Sequence, residues 1–383
     1  MSSFFRQQRK KRILVLSAYD AYSHRQWREH VAAMLPDYDW VHLSLPSRHF
    51  AWRIRGNSLQ WAFGKADLLR QQYDIILATS MVDLSSLRGF VPELARIPTI
   101  VYFHENQFVY PMGRRRQDNV EHKLVPIYTA LCADCIVFNS HYNRHSFLEG
   151  ARKLFNDLPD RIDPAIMNRL DASMVLPVPL AEEDFALEPL TRGGKLLDVA
   201  WNHRWEYDKG PELLLAVVKQ ACAATLPVRF HVFGQQFRQQ PPAFAEMEPL
   251  LTEMARQQGQ PRGQFGYLPG RQEYLECLRR NDVVLSTAHH DFQGLAMQEG
   301  CALGCTPLAP DALVYPEYLE SAFLYPLRQS TEHTATEVVT RLKQRAQEKI
   351  AGQALPTVSM RHFLDAALRV EYRALIEWFL RRR

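Results

Sequence analysis

Residues 281–310 read NDVVLSTAHHDFQGLAMQEGCALGCTPLAP, and this stretch decides the fold. NDVVLST has the composition of a short buried strand, and after Gly294 the apolar positions Leu295, Ala296, Ala302 and Leu303 suit a helix. The flexible turn Phe292-Gln293-Gly294-Leu295 joins the two. A strand that feeds a glycine-containing turn and then a helix points unpaired backbone N–H groups at whatever sits there, which favours an anion such as a phosphate. Two carboxylates, Asp291 and Glu299, flank the turn with seven residues between them. On spacing alone, an ordinary strand-to-helix turn with two solvated acids fits equally well, so the rest of the chain has to decide.

Working outward, the same alternation recurs. In the second half LLDVAWNHR reads as a strand, GPELLLAVVKQAC as a helix with Pro211 in its first turn, VRFHVFG as a strand and QEYLECLRRN as a helix. In the first half the strands are RILVLS, DWVHLSLP, DIILATS, IPTIVYFHEN and DCIVFNS, separated by helical stretches such as QWREHVAAML, LQWAFGKADLLRQQ and EHKLVPIYTALCA. Ser140 is the expected N-cap of a helix over HYNRHSFLEGARKLF. Short apolar strands alternating with helices are the signature of parallel, doubly wound α/β sheets, whose ligands gather beyond the carboxyl ends of the strands. AYDAYSH, FHENQ and FNSHYNRHS are expected at such ends.

At 383 residues the chain exceeds what one core usually holds. Residues 175–194 are rich in proline and turn residues and mark the boundary. The expected architecture is two Rossmann-like doubly wound domains facing a cleft: residues 1–180, residues 181–360, and a closing helix over 361–383 with room to pack back on the first domain. No repeat of fixed period argues for a solenoid.

The hydrophobic share of 46% and charged share of 23% belong to a soluble globular protein. The apolar runs are far shorter than the roughly 20 residues that a bilayer core demands, and the basic N-terminal cluster precedes a run too short for a secretory leader. A cytoplasmic protein is therefore expected. Six cysteines include one CxxC, Cys132 and Cys135, but no second pair completes a tetrahedral metal site, so buried thiols are expected and no metal. The net charge is only +4, yet residues 1–60 hold ten Lys and Arg against four acids. Arg114, Arg115 and Arg116 add a second basic knot in the same half. Such a bias suits either a solvated face or a polyanion, and nucleic acid is the obvious one.

WNHRWEYDKG, residues 201–210, places Arg204 and Lys209 five residues apart in a loop beyond a strand. A planar bidentate donor with a compact point charge suits a diphosphate. Two loop cations are commonly just solvated. Here their position matches that of the acidic turn.

Together these features resemble the retaining glycosyltransferases of the two-domain GT-B type in glycosyltransferase family 4. Arg204 and Lys209 match that family's R-x4-K loop, and Asp291 and Glu299 match its E-x7-E segment with Asp in place of the first Glu. Gly294 and Leu295 hold the positions of that segment's turn. A closer resemblance, carried by VHLSLPSRHFAWRIRGN, VYFHENQFVYP, FNSHYNRHSFL and WNHRWEYDKG over most of both domains, is to the tRNA-queuosine alpha-mannosyltransferase family. That resemblance implies transfer of mannose from GDP-mannose, with no other cofactor, to the cyclopentene ring of queuosine in the anticodon loop of aspartate tRNA.

It also implies roles. His104, Arg204, Lys209, Asp291 and Glu299 would form the catalytic set. Asn202, Arg204, Lys209, Gly294, Leu295 and Glu299 would hold the nucleotide, with Glu299 on the ribose hydroxyls and the two cations on the leaving diphosphate. On the acceptor side stand Ser23, His24, Arg48, Trp52, Arg55, Glu105, Asn106, Gln107 and Tyr110. Arg53 and the arginine run at 114–116 join Arg48 and Arg55 as phosphate contacts, and Trp52 and Tyr110 as stacking groups. The first strand-to-helix loop, DAYSHRQW, lacks the Gly-Gly found there in many family 4 enzymes, which argues against close backbone contact with donor phosphates. Two other readings stay open: a family 4 enzyme with a lipid or polysaccharide acceptor, and a non-catalytic RNA-binding relative. No strongly basic amphipathic helix precedes the terminal RRR with Trp378 and Phe379, so membrane contact is not expected.

Overall fold

In the computed structural model, described for residues 9–109, 120–186, 190 and 192–382, the chain divides into two compact units. Unit 1 is Met1–Pro179 with Asp365–Arg383, and unit 2 is Leu180–Leu364. The helix Asp365–Arg381 thus belongs with the first unit. Its Tyr372 hydroxyl accepts from Trp27 Nε1 at 2.9 Å and donates to the carbonyl of Pro177 at 2.9 Å.

Unit 1 is built on six parallel strands: β1 Arg12–Asp20, β2 Asp39–Pro46, β3 Ile75–Thr79, β4 Thr99–Phe103, β5 Cys135–Phe138 and β6 Met174–Val175. Their order is β2-β1-β3-β4-β5-β6. β3 and β4 are buried along their whole length, which is why IILAT and TIVYF are continuous apolar runs rather than alternating ones. Ser140 caps the helix His141–Asp157 as its position before HYNRHSF suggests, its side chain accepting from the Asn143 amide at 2.9 Å.

Unit 2 repeats the design with β7 Leu197–Trp201, β8 Val228–Phe233, β9 Phe265–Gly266, β10 Val283–Leu285, β11 Thr306–Pro310 and β12 Leu324–Tyr325. Their order is β12-β11-β10-β7-β8-β9, again parallel throughout. The chain therefore runs outward from β7 to β9, then returns through the helix Arg271–Arg279 to lay β10 on the other side of β7. The strand order reverses between β7 and β10. Loops leaving two neighbouring strands in opposite directions open a crevice there, the usual ligand position in such sheets. Val283 and Val284 of β10 pair with Val199 and Ala200 of β7, so the loops after Trp201 and after Leu285 start side by side.

Candidate active site

The loop after β7 carries Arg204 and Lys209, and the loop after β10 carries Asp291. The structure brings them together. Lys209 Nζ donates to the carbonyl of His290 at 2.8 Å and lies 3.4 Å from Asp208 Oδ2 and 3.7 Å from Asp291 Oδ2. The two loops are also tied through backbone. Asp208 O accepts from the amides of His289 and His290, and Thr287 Oγ1 donates to Lys209 O. Gly210 closes the first loop at φ 65°, where a Cβ would stand 1.9 Å from Thr287 O, so no other residue allows this approach. Arg204 pairs with Glu206 and, at 3.5 Å, with Asp208, and keeps close to half its side chain in solvent.

The acidic turn folds tightly. Asp291 Oδ1 accepts from the Gly294 amide at 3.2 Å, and Gly294, at φ 74°, is the N-cap of the helix Leu295–Ala302. Asp291 Oδ2 accepts from the Tyr315 hydroxyl at 3.0 Å, and that hydroxyl is 2.7 Å from Ser286 Oγ. Burial alone would push the Asp291 carboxyl up. Lys209, then His203 and the Tyr315 hydrogen bond, hold it below its ordinary range instead. Both oxygens are thus engaged within the protein, as expected of a side chain one methylene shorter than Glu. Burial and the charge of Lys209 push His203 and His290 down to about 4, so both are neutral at pH 7. His203 Nε2 is buried and lacks a hydrogen-bond partner among the described residues.

Glu299 lies one turn into the helix, mostly buried. Its Oε1 is 2.8 Å from Arg271 Nη1 and its Oε2 accepts from the Tyr274 hydroxyl at 2.5 Å. Burial works against the charge of Arg271, yet Glu299, Tyr274 and Asp184 outweigh it and raise its pKa. Asn202 Nδ2 donates to the Tyr274 hydroxyl at 2.8 Å and to Ala296 O at 2.9 Å, while its buried Oδ1 has no partner among the described residues. Arg271, Tyr274 and Tyr315 were not read from the sequence. No periodic spacing links them to the two motifs, and only the packing of the helix Arg271–Arg279 against β7 and β8 brings the first two to Glu299.

In unit 1 the carboxyl rim of the sheet gathers His24 and His104. Their rings stack at 4.2 Å, and His104 meets the edge of Trp27 at 4.6 Å. Burial, then His24, keeps His104 well below the ordinary histidine pKa, and its buried Nε2 has no partner among the described residues. The helix Tyr22–Met34 starts almost directly after β1, consistent with the missing glycines, and exposes Ser23 in its first turn. Glu105 and Gln107 are half-buried.

Three expectations for the acceptor side change. Asn106 is buried and engaged: its Nδ2 lies within 3.2 Å of Asn143 O, Asn143 Oδ1 and Ser146 Oγ, and its Oδ1 accepts from the Phe108 amide. It therefore shapes the loop. Arg53 is buried too, its guanidinium on Gln60 Oε1 and Pro46 O, so it is no phosphate contact. Arg55 is held by Asp83 at 3.0 Å and by Glu121. Arg48 and Trp52 are exposed. Tyr110 and Arg114 to Arg116 lie outside the described residues. Cys132 and Cys135 are half-buried free thiols, and burial pushes Cys135 up to about 11, away from a reactive thiolate.

Residues 12–180 match the family model described as tRNA-queuosine alpha-mannosyltransferase N-terminal. A protein of Drosophila melanogaster named tRNA-queuosine alpha-mannosyltransferase is 32% identical over an alignment of 327 residues that covers 82% of this chain and 84% of that protein. The chain belongs to the tRNA-queuosine alpha-mannosyltransferase family. Members of this family are glycosyltransferases, and the two six-stranded parallel sheets have the GT-B form. The fold is similar to that of sucrose-phosphate synthase from Thermosynechococcus elongatus, with a TM-score of 0.65 and 14% identity, covering 98% of this chain and 100% of that one. It is also similar to HepE of Anabaena in complex with UDP, with a TM-score of 0.60 and 12% identity over 97% and 100% of the two chains. Among the described residues, no helix is long and apolar enough to cross a membrane, and no group of three or more His, Cys, Asp or Glu side chains gathers to hold a metal.

Proposed function

We propose that this chain transfers mannose, with retention at the anomeric carbon, from GDP-mannose to queuosine in the anticodon loop of aspartate tRNA in the cytoplasm. The observation that supports the donor half is the meeting of Lys209, on the loop that also carries Arg204, with the Asp291 turn that leads into the helix of Glu299, at the strand reversal of unit 2. Family membership supports the acceptor half.

The chemistry follows from the charges. As the bond between sugar and diphosphate stretches, negative charge grows on the leaving phosphate and positive charge on the sugar ring. Lys209, almost wholly buried, and the more exposed Arg204 meet the first of these without reorganising, and the first amides of the helix Leu295–Ala302 add N–H dipoles. Cations built into the chain give the diphosphate its counter-charge, so we assign no resident metal or other cofactor. Activity that survives chelation of divalent ions supports this, and activity lost until a metal is restored contradicts it. Glu299, oriented by Arg271 and Tyr274, accepts from the ribose hydroxyls. Asp291 acts through Lys209 and the turn, because its own oxygens are engaged. His104, kept neutral in unit 1, retains a hydrogen-bonding ring nitrogen with no partner among the described residues.

A melting-temperature series against GDP, UDP and ADP tests the donor half. Binding to the folded state alone stabilises by mass action, by about 2.7 kcal/mol at a hundredfold excess over Kd. Stabilisation by GDP above the other two is expected, and a preference for UDP or ADP overturns the choice of donor.

A further inference from the structure

Unit 1 presents a surface suited to an RNA. The helix Phe50–Gly64 follows β2 from the carboxyl end of the sheet and buries Arg53, Ile54, Asn57, Ser58, Trp61 and Ala62. Trp52 falls on the opposite side and is 56% exposed. So large an apolar ring is rarely left in water without a partner. Trp52 is not waving in solvent, however. Its indole lies over Gly56, one turn later, where a Cβ would come within 2.3 to 2.7 Å of ring carbons Cε2, Cζ2 and Cδ2. The absent side chain lets the ring rest on the helix backbone with its other face outward.

The surroundings favour an anionic partner. Residues 47–60 contain Arg48, Arg53 and Arg55 and no acid, within the first 60 residues, which carry six more cations than acids. Arg55 is engaged by Asp83 and Glu121, which leaves Arg48, on the segment leading into the helix, as the exposed cation. A second aromatic, Tyr22, 58% exposed, heads the helix that leaves the neighbouring strand β1 at the same carboxyl rim. His24 and His104 belong to that rim as well. Exposed aromatic rings beside a cation are how proteins hold unpaired bases, because every base has a π-face and every linkage a phosphate.

We propose that Trp52, seated on Gly56, is a stacking platform for an unpaired base of the acceptor RNA, with Arg48 on an adjacent phosphate. This rests on the acceptor half of the function proposed above. The same helix face continues through Leu59 and Phe63, whose ring meets that of Phe90 at 5.6 Å. A contact between two copies of the chain is therefore the competing occupant.

The test is a titration of a labelled RNA hairpin with the aspartate anticodon-loop sequence into full-length wild type, Trp52→Ala, Trp52→Phe and Arg48→Ala. It is followed by fluorescence anisotropy at several salt concentrations, with the oligomeric state and the GDP-dependent melting shift of each protein recorded. Trp52→Ala is expected to weaken binding by about 5- to 150-fold with its salt slope unchanged, while Trp52→Phe keeps most of the affinity. Arg48→Ala is expected to lower the slope by about 1. All four keep the wild-type melting shift with GDP, which shows them folded. Wild-type affinity in Trp52→Ala overturns the platform and leaves the acceptor reading standing. Loss of a dimer with RNA affinity intact gives the face to a second copy. A wild-type protein that binds no RNA removes the acceptor reading and the platform with it.

Discussion

Lys209→Met is the most informative single change, because it removes a charge while keeping most of the volume. Lys209 Nζ is 3.7 Å from Asp291 Oδ2 and 3.4 Å from Asp208 Oδ2, in a side chain with little exposure. At 3.7 Å and an effective dielectric of about 20, Coulomb attraction to Asp291 alone is about 4.5 kcal/mol, offset in part by desolvation of both groups. Removing one partner of such a pair costs about 3–5 kcal/mol, since the other stays buried without its counter-charge. The sign of the pH dependence follows. Burial is the largest influence on Asp291 and raises its pKa, and Lys209 is the first of the groups that reverse this. Without Lys209 the carboxyl titrates higher than in the wild type. The deficit is then fully present near neutrality, where the carboxyl is ionised in both proteins, and is relieved as pH falls through the raised pKa. Urea unfolding at about pH 7.5 and about pH 4 should therefore show a larger deficit at the higher pH. The double variant with Asp291→Asn should recover about 1 kcal/mol or more over additivity. In the transfer reaction, loss of a donor aimed at developing charge lowers kcat by about 100- to 1000-fold. Additive stabilities with a pH-independent deficit would refute the pairing, and an unchanged kcat would refute the assignment of Lys209 to the leaving group.

Arg271→Ala frees the Glu299 carboxylate on one side, so affinity for GDP should fall by about tenfold or more while affinity for 2′,3′-dideoxy-GDP changes little. Equal losses for both nucleotides, measured by calorimetry, would show Arg271 acting away from the ribose. Tyr315→Phe removes the hydrogen bond to Asp291 Oδ2 and the contact with Ser286, at a cost of about 1–3 kcal/mol in urea unfolding. A deficit within about 0.5 kcal/mol would mean the Asp291 rotamer is held without it. His203 and His290 sit near 4 in the folded state against 6.5 when free, so the unfolded chain binds more protons between those values. Stability should fall as pH drops through that window, by about 1.4 kcal/mol per pH unit for each histidine. Replacing His203 by Gln should remove one share of the slope, and an unchanged slope would contradict the burial argument.

Much of this was legible in the chain because the relevant signals are local. Buried parallel strands are continuous apolar runs, Ser140 announces a helix start, and the two motif loops are recognisable by their spacing together with their place after strands and their family resemblance. What made the loops one site was the strand reversal between β7 and β10, a property of sheet order that no run of residues carries. β11 carries Pro307 and Pro310, residues that disfavour a strand, yet it pairs with β10 from Thr306 to Leu308. Arg271 and Tyr274 escaped for a related reason: Tyr274 precedes Glu299 by 25 residues and meets it through tertiary packing. Asn106 and Arg53 misled in the opposite sense. Both have the chemistry of a binding group, and only burial shows that their donors are consumed by neighbouring backbone and side chains.

In the function proposed above, the Lys209 and Glu299 loops drive transfer of a sugar to a modified tRNA nucleoside. Purified protein incubated with GDP-mannose and queuosine-containing aspartate tRNA, followed by nuclease digestion and mass spectrometry of the nucleosides, tests it most directly. Conversion of queuosine to a nucleoside heavier by one hexose is expected, absent with UDP-glucose and nearly abolished by Lys209→Met. Queuosine recovered unchanged from tRNA that is intact, with GDP-mannose present and the protein folded, would contradict it.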